Sequence, residues 1–90
     1  MNKSEVVTAM AEKSGLSRKK CEDALDALVA VIGDGLKDGG KVKLLGFGTF
    51  EVRARAARIG RNLRTREPVN IPAYRQPVFK PGKALKEAVL

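Results

Sequence analysis

The chain has 90 residues, and its 18 Lys and Arg outnumber its 10 Asp and Glu, so its formal net charge is +8. A chain of this length makes one domain, which we place at residues 1–90, and so small a domain gains stability by oligomerising. The basic charge indicates a polyanionic partner, either nucleic acid or an anionic membrane surface.

The charge is concentrated in the second half of the chain. Residues 1–45 hold 8 basic and 7 acidic residues, for a net charge of +1, whereas residues 46–90 hold 10 basic and 3 acidic residues, for a net charge of +7.

With one cysteine and no histidine, a Cys/His metal site is implausible, and we expect no cofactor. The lone cysteine suits a reducing compartment, and no apolar run resembles a signal peptide or a membrane span. We therefore expect a location in the cytoplasm or nucleoid and no membrane partner.

Two amphipathic helices are predicted in the first 40 residues. Asn2 can cap the first helix, and Gly15 can end it. Ser17 can cap the second, whose apolar residues recur every three or four positions until Gly39–Gly40. The short connection predicts an antiparallel pair, and we interpret residues 1–40 as a helical dimerisation part.

From residue 41 onward the apolar residues alternate, which predicts strands. Lys41–Leu44 and Thr49–Ala57 form the predicted hairpin, with apolar side chains on one face and charged side chains on the other. A returning strand through the segment 69–79 is interrupted by Pro68, Pro72 and Pro77, and these prolines place it at a sheet edge or in a two-stranded ribbon. Pro81–Gly82 opens a short final helix, Lys83–Val89.

The segment from about 55 to 75 is rich in arginine and poor in large apolar residues. About ten residues of strand span roughly 33 Å, too far to fold back onto so small a body, so we predict a protruding two-stranded arm. Residues 53–66 contain six arginines and no acidic residue. Guanidinium groups bind phosphate with two parallel hydrogen bonds, and a β-ribbon is thin enough to enter a DNA groove.

Phe47, Phe50 and Phe79 could stack on bases, as aromatic residues do in single-strand binders. Phe50 lies on the strand face opposite the arginines, so we interpret the three as a core shared between two chains. Leu63 stands alone among polar residues near the expected arm tip. It is either an ordinary exposed leucine or an apolar wedge.

Several runs of the sequence resemble the HU/IHF family of bacterial DNA-bending proteins, specifically its HU type. The longest is GFGTFEVRARAARIGRN, from Gly46 to Asn62, and the others are ALDAL at 24–28, IPA at 71–73 and FKPGKALK at 79–86. The resemblance covers essentially the whole chain. It implies an α+β fold in which a helical hairpin lies under a small antiparallel β-saddle, with residues 41–90 forming the saddle, the arm and a C-terminal helix.

The resemblance also implies function: an intertwined homodimer whose arms enter the minor groove of double-stranded DNA and bend it with little sequence preference. Nucleoid architecture and DNA compaction follow as the expected role, with nicked, bent or distorted DNA as preferred partners. The expected DNA-binding residues are Arg53, Arg55, Arg58, Arg61, Asn62, Leu63, Arg64 and Arg66 along the arm, and Lys3, Lys80, Lys83 and Lys86 on the body.

Two positions depart from the family pattern. The family usually has proline after the Arg-Asn pair of the arm tip, where this chain has Leu63, and it often has glycine where this chain has Arg66. The first departure replaces the proline that usually intercalates between base pairs in this family. The second replaces a flexible turn position with a charged side chain.

Two other classes of function compete with duplex-DNA binding for a small basic chain. A small basic RNA-binding protein is the alternative, although such proteins usually expose aromatic residues for stacking and here only Tyr74 is free to do so. An enzyme is not expected: Cys21 lies on the apolar stripe of a helix without a histidine to activate it, and the acids after residue 45 form no visible catalytic pair.

Overall fold

The computed structural model describes all residues from 1 to 90. It divides into two compact units, residues 1–34 and residues 35–90, and the division falls within the second helix. Helices and antiparallel strands are both present, so the α+β class is confirmed.

The first unit is a pair of helices with the predicted caps. Helix α1 spans Lys3–Ser14; the side chain of Asn2 accepts from the Glu5 amide at 2.9 Å, and Gly15 ends the helix at φ 74°. Helix α2 spans Arg18–Lys37 and extends into the second unit, and the Ser17 hydroxyl accepts from the Lys20 amide at 3.2 Å. None of the helices combines the length and apolar character needed to cross a membrane.

The second unit contains a three-stranded antiparallel sheet. Strands β1 (Val42–Leu44), β2 (Gly48–Arg55) and β5 (Tyr74–Pro81) lie in the order β1-β2-β5. Gly46 lies at φ 84° in the turn between β1 and β2, where the Phe47 amide donates to the Leu44 carbonyl. Strand β5 lies at an edge, as its prolines predicted. Helix α3 (Lys83–Ala88) follows, with Gly82 as its N-cap residue.

A separate two-stranded ribbon forms the predicted arm. Strands β3 (Arg58–Arg61) and β4 (Pro68–Ile71) pair only with each other. The register of β2 with β5 continues into the ribbon, so one long hairpin is interrupted where Ala56–Ala57 lie opposite Pro72–Ala73. The sequence predicted a returning strand interrupted by prolines, and Pro72 lies at this break. Pro72 has no amide hydrogen to donate to the ladder, which accounts for the interruption.

The chain by itself buries little apolar surface. The buried hydrophobic side chains are Val7 and Cys21, both in the helical unit. Phe47 and Phe79 remain 44% and 37% exposed, although both lie in a cluster expected to be core. A core this small gives a single chain little stability, which is typical of a subunit that is stabilised by oligomerisation.

Candidate nucleic-acid interface

The arm presents cationic side chains on both of its faces. Arg58 lies opposite Ile71 and Arg61 lies opposite Pro68 in the ladder. Because side chains alternate along a strand and these arginines are three residues apart, they project from opposite faces of the ribbon. Both are exposed. A ribbon inserted in a groove could therefore reach phosphates on both sides.

A compact turn closes the end of the arm. The Asn62 amide donates to the Glu67 carbonyl at 2.9 Å, and the Arg66 amide donates to the Asn62 carbonyl at 2.7 Å. The side-chain oxygen of Asn62 accepts from the amides of Arg64 and Thr65, at 2.9 and 3.4 Å. The Thr65 hydroxyl accepts from the Glu67 amide at 3.3 Å. The backbone amides of Arg64, Thr65, Arg66 and Glu67 thus all donate hydrogen bonds within the turn.

Arg66 has the only positive φ among the non-glycine residues, at 60°. This left-handed conformation crowds the Cβ of any residue but glycine, at a cost of roughly 1–2 kcal/mol. This is the position at which the family that the sequence resembles often has glycine. The backbone of the tip therefore keeps a conformation suited to glycine while carrying an additional cation.

Leu63 lies within this turn and is 95% exposed. At this exposure almost none of its surface is covered by other side chains, and its sequence neighbours Asn62 and Arg64 are exposed as well. An apolar group held this far from any protein contact is available to a ligand.

The six arginines of residues 53–66 divide into two groups. Arg53 lies 3.8 Å from Glu51, and Arg55 donates to the side-chain oxygen of Gln76 at 3.1 Å. Four arginines on or beyond the ribbon make no ion pair; they are Arg58, Arg61, Arg64 and Arg66. The charge available to an anionic partner is therefore concentrated toward the arm tip.

Glu51 differs from what the sequence predicted. The alternation of β2 places it on a charged outer face, but the residue is only 7% exposed. Lys80 lies 2.8 Å from its carboxylate and Lys41 lies 3.4 Å away, and with Arg53 they cover it. The hydrogen bond and charge of Lys80, aided by Lys41, lower the pKa of the Glu51 carboxyl below its ordinary value of 4.5.

The expected lysines of the body are mostly paired with acidic side chains. Lys3 lies 2.7 Å from Asp26, and this hydrogen bond raises the pKa of Lys3 above 10.5. Lys83 lies 3.9 Å from Glu87, whereas Lys86 has no carboxylate within 4.0 Å. To bind a phosphate, Lys3, Lys80 or Lys83 would therefore have to give up its ion pair with a carboxylate of the chain.

The aromatic residues form one cluster on the three-stranded sheet. Phe50 lies opposite Phe79 across β2 and β5, with ring centroids 4.8 Å apart, and Phe47 lies 5.2 Å from Phe79. Gly48 permits this packing, because a Cβ there would lie 2.6 Å from the Phe79 ring. The mutual packing agrees with a core role for these rings, whose outer surface lacks a cover within the chain.

Comparison with known proteins decides the family. The family described as "Bacterial DNA-binding protein" matches residues 1–90. The chain belongs to this family. It is 57% identical over 89 residues to DNA-binding protein HU of Geobacillus stearothermophilus, covering 99% of each chain. It is 55% identical over 89 residues to DNA-binding protein HU 1 of Bacillus subtilis, covering 99% of this chain and 97% of the relative.

Solved structures of HU proteins have the same fold as this bacterial DNA-binding protein. An Anabaena HU–DNA cocrystal structure matches with a TM-score of 0.92 and 46% identity, over 99% of this chain and 97% of that one. HU from Thermotoga maritima matches with a TM-score of 0.70 and 34% identity, over the full length of both chains. The resemblance seen in the sequence motifs is confirmed.

Two residues of this family member were missed by sequence reasoning. Lys41 belongs to the cluster around Glu51, which only the pairing of β1 with β2 could reveal. Arg75 donates to the carbonyls of Lys37 and Leu36, at 3.2 and 3.4 Å, and thus caps the last turn of α2. No three acidic or cysteine side chains come together as a metal site would require.

Proposed function

We propose that this chain, as a homodimer, binds and bends double-stranded DNA with little sequence preference and contributes to nucleoid architecture. Family membership supports the proposal, as does the match to an Anabaena relative crystallised with DNA. The observation that carries it is the ribbon with exposed, unpaired arginines on both faces. Binding to the nucleoid places the protein in the cytoplasm, and we infer an architectural role without catalysis.

In this proposal the arm supplies most of the affinity through phosphates. Arg58 and Arg61 project from opposite faces, so each is suited to a different strand of the duplex. Phosphate contacts carry no sequence information, which fits binding to many sequences. Arg64 and Arg66 add charge at the tip, while Arg53 and Arg55, already engaged by Glu51 and Gln76, contribute at the base of the arm. Lys3, Lys80, Lys83 and Lys86 are proposed as weaker contacts on the body.

A second copy of the chain is proposed to cover the phenylalanine cluster. Phe47 and Phe79 expose more than a third of their surface, and burying such rings is strongly favourable. Residues 1–40 are proposed as the other part of the dimer. Two chains supply two arms, and bending follows when both engage one duplex.

Leu63 is proposed as the wedge of each arm. Apolar side chains inserted between base steps kink DNA, and unstacking a step costs a few kcal/mol. A nick lowers that cost, so the wedge favours nicked DNA. Leu63→Ala should leave affinity for intact duplex nearly unchanged but should remove the preference for nicked duplex, whereas Leu63→Pro should restore it. If Leu63→Ala retained the full preference, Leu63 would be only an exposed leucine.

The binding function is tested with four ligands of equal length: two intact duplexes of unrelated sequence, a nicked duplex and a single-stranded RNA. We expect similar affinities for the intact duplexes, with log K falling steeply as log salt rises, and weaker binding to RNA. Tighter binding to RNA than to any duplex would support the RNA-binding alternative. A strong preference for one of the intact sequences would contradict phosphate-based binding.

A further inference from the structure

The end of the arm is held together mainly by one residue, Asn62. Its backbone amide and carbonyl each make a hydrogen bond across the turn, to Glu67 and Arg66. Its side-chain oxygen accepts from the amides of Arg64 and Thr65. Four hydrogen bonds thus start or end on a single exposed residue that directly precedes Leu63.

Residues 63 and 66 both make the folded turn less favourable, so its hydrogen bonds matter more in this chain. Leucine at position 63 leaves φ free and adds side-chain rotamers, whereas proline would fix φ. Arg66 occupies a left-handed conformation at φ 60°. Because this conformation is sterically unfavourable for a residue with a Cβ, it makes the turn less stable. Without further constraint the segment 63–66 would sample many conformations, and Leu63 would lose entropy whenever it inserted into DNA.

We propose that Asn62 is a positioning residue, which fixes the backbone on either side of Leu63 so that the leucine is presented at the end of the arm. This inference rests on the proposed wedge function of Leu63. It differs from the expectation that Asn62 itself contacts DNA, since the side-chain oxygen is already engaged within the turn and only the side-chain NH₂ group remains.

Three substitutions separate positioning from direct contact. Asn62→Ala removes the acceptor and the NH₂ group together. Asn62→Asp keeps an acceptor for the two backbone amides but removes the NH₂ group and lowers the charge by one. Arg64→Gln lowers the charge by the same amount without changing residue 62, and is the matched control for Asn62→Asp.

The first measurement is amide hydrogen exchange in the free protein. Loss of the two bonds in Asn62→Ala should speed exchange at Arg64 and Thr65 by about tenfold, while Asn62→Asp should exchange like the parent. Amides of the three-stranded sheet should be unaffected in both. Unchanged exchange at Arg64 and Thr65 in Asn62→Ala would overturn the proposal.

The second measurement is the ratio of affinities for nicked and intact duplex. Asn62→Ala should lower this ratio by about tenfold, and Asn62→Asp should retain it, with an overall loss of affinity equal to that of Arg64→Gln. If Asn62→Asp lost the preference as Asn62→Ala does, the NH₂ group would be contacting DNA and positioning would be refuted. If Leu63→Ala lost the preference and Asn62→Ala kept it, only the role of Asn62 would fail. If Leu63→Ala kept it, the wedge function itself would fail.

Discussion

Replacing Phe79 with alanine tests whether a second chain completes the core. Phe79 packs against Phe47 and Phe50, yet 37% of its surface remains exposed in the single chain. Truncation should therefore have two effects. It should remove packing within the chain, and it should remove the surface that a partner covers.

The free-energy cost of each effect can be estimated separately. A phenylalanine buries roughly 200 Å², so the 37% of Phe79 that is exposed leaves about 75 Å² for a partner to cover. At ~25 cal/mol per Å² this area is worth about 2 kcal/mol per chain. Two chains lose about 4 kcal/mol, which is on the order of a thousandfold in the dimer dissociation constant. With the loss of packing inside the chain, the total cost should be about 3–5 kcal/mol per chain.

Sedimentation equilibrium and thermal melts over a hundredfold range of concentration measure both effects. For the parent, Tm should rise with concentration, because folding and association are coupled. The control is Ile59→Ala, since Ile59 is 73% exposed and lies on the arm; its dimerisation should match that of the parent. If the parent Tm is independent of concentration, or if Phe79→Ala dimerises as tightly as the parent, the core is not shared.

Three further predictions concern the arm and the cluster around Glu51. Arg58→Ala should weaken binding to unrelated duplexes equally and flatten the slope of log K against log salt by about one unit per chain; loss for one sequence alone would mean that Arg58 reads bases. Arg66→Gly should relieve roughly 1 kcal/mol of strain and slow exchange of the residue 66 amide. Arg66→Ala, which keeps the strain and loses the same charge, should not slow it. Because the pKa of Glu51 is lowered on folding, its stabilisation is present above pH 4.5 and is lost as the pH falls through the lowered value. The stability difference between the parent and Glu51→Gln should therefore shrink in acid melts, and a difference that grows as the pH falls would contradict the ion-pair assignment.

Much of the fold could be predicted from local patterns. The change from helical to alternating periodicity after residue 40 marks the start of the strands, and Asn2, Gly15 and Ser17 act as the caps that their chemistry suggests. The prolines predicted that the returning strand is interrupted, but the opposite strand was expected to continue through Ala57 and ends at Arg55. Where the opposite strand ends depends on which of its residues faces Pro72, and short-range periodicity does not give this register.

The interface was predicted less completely. The run of arginines indicates an anionic partner, but the sequence cannot show that Arg53 and Arg55 have partners within the chain while Arg58 and Arg61 have none. Alternation placed Glu51 on an exposed face, since it takes no account of long lysine side chains that fold over a neighbour. The hydrogen bonds of Asn62 also depend on the conformation of the turn.

Fluorescence energy transfer between the ends of a short nicked duplex tests the central claim most directly. The account predicts that transfer rises as protein is added, saturates at two chains per duplex, and reaches the same value for unrelated sequences. It also predicts that raising the salt concentration reverses the change, because phosphate contacts supply the affinity. Binding that leaves the distance between the ends unchanged would contradict DNA bending by a dimer.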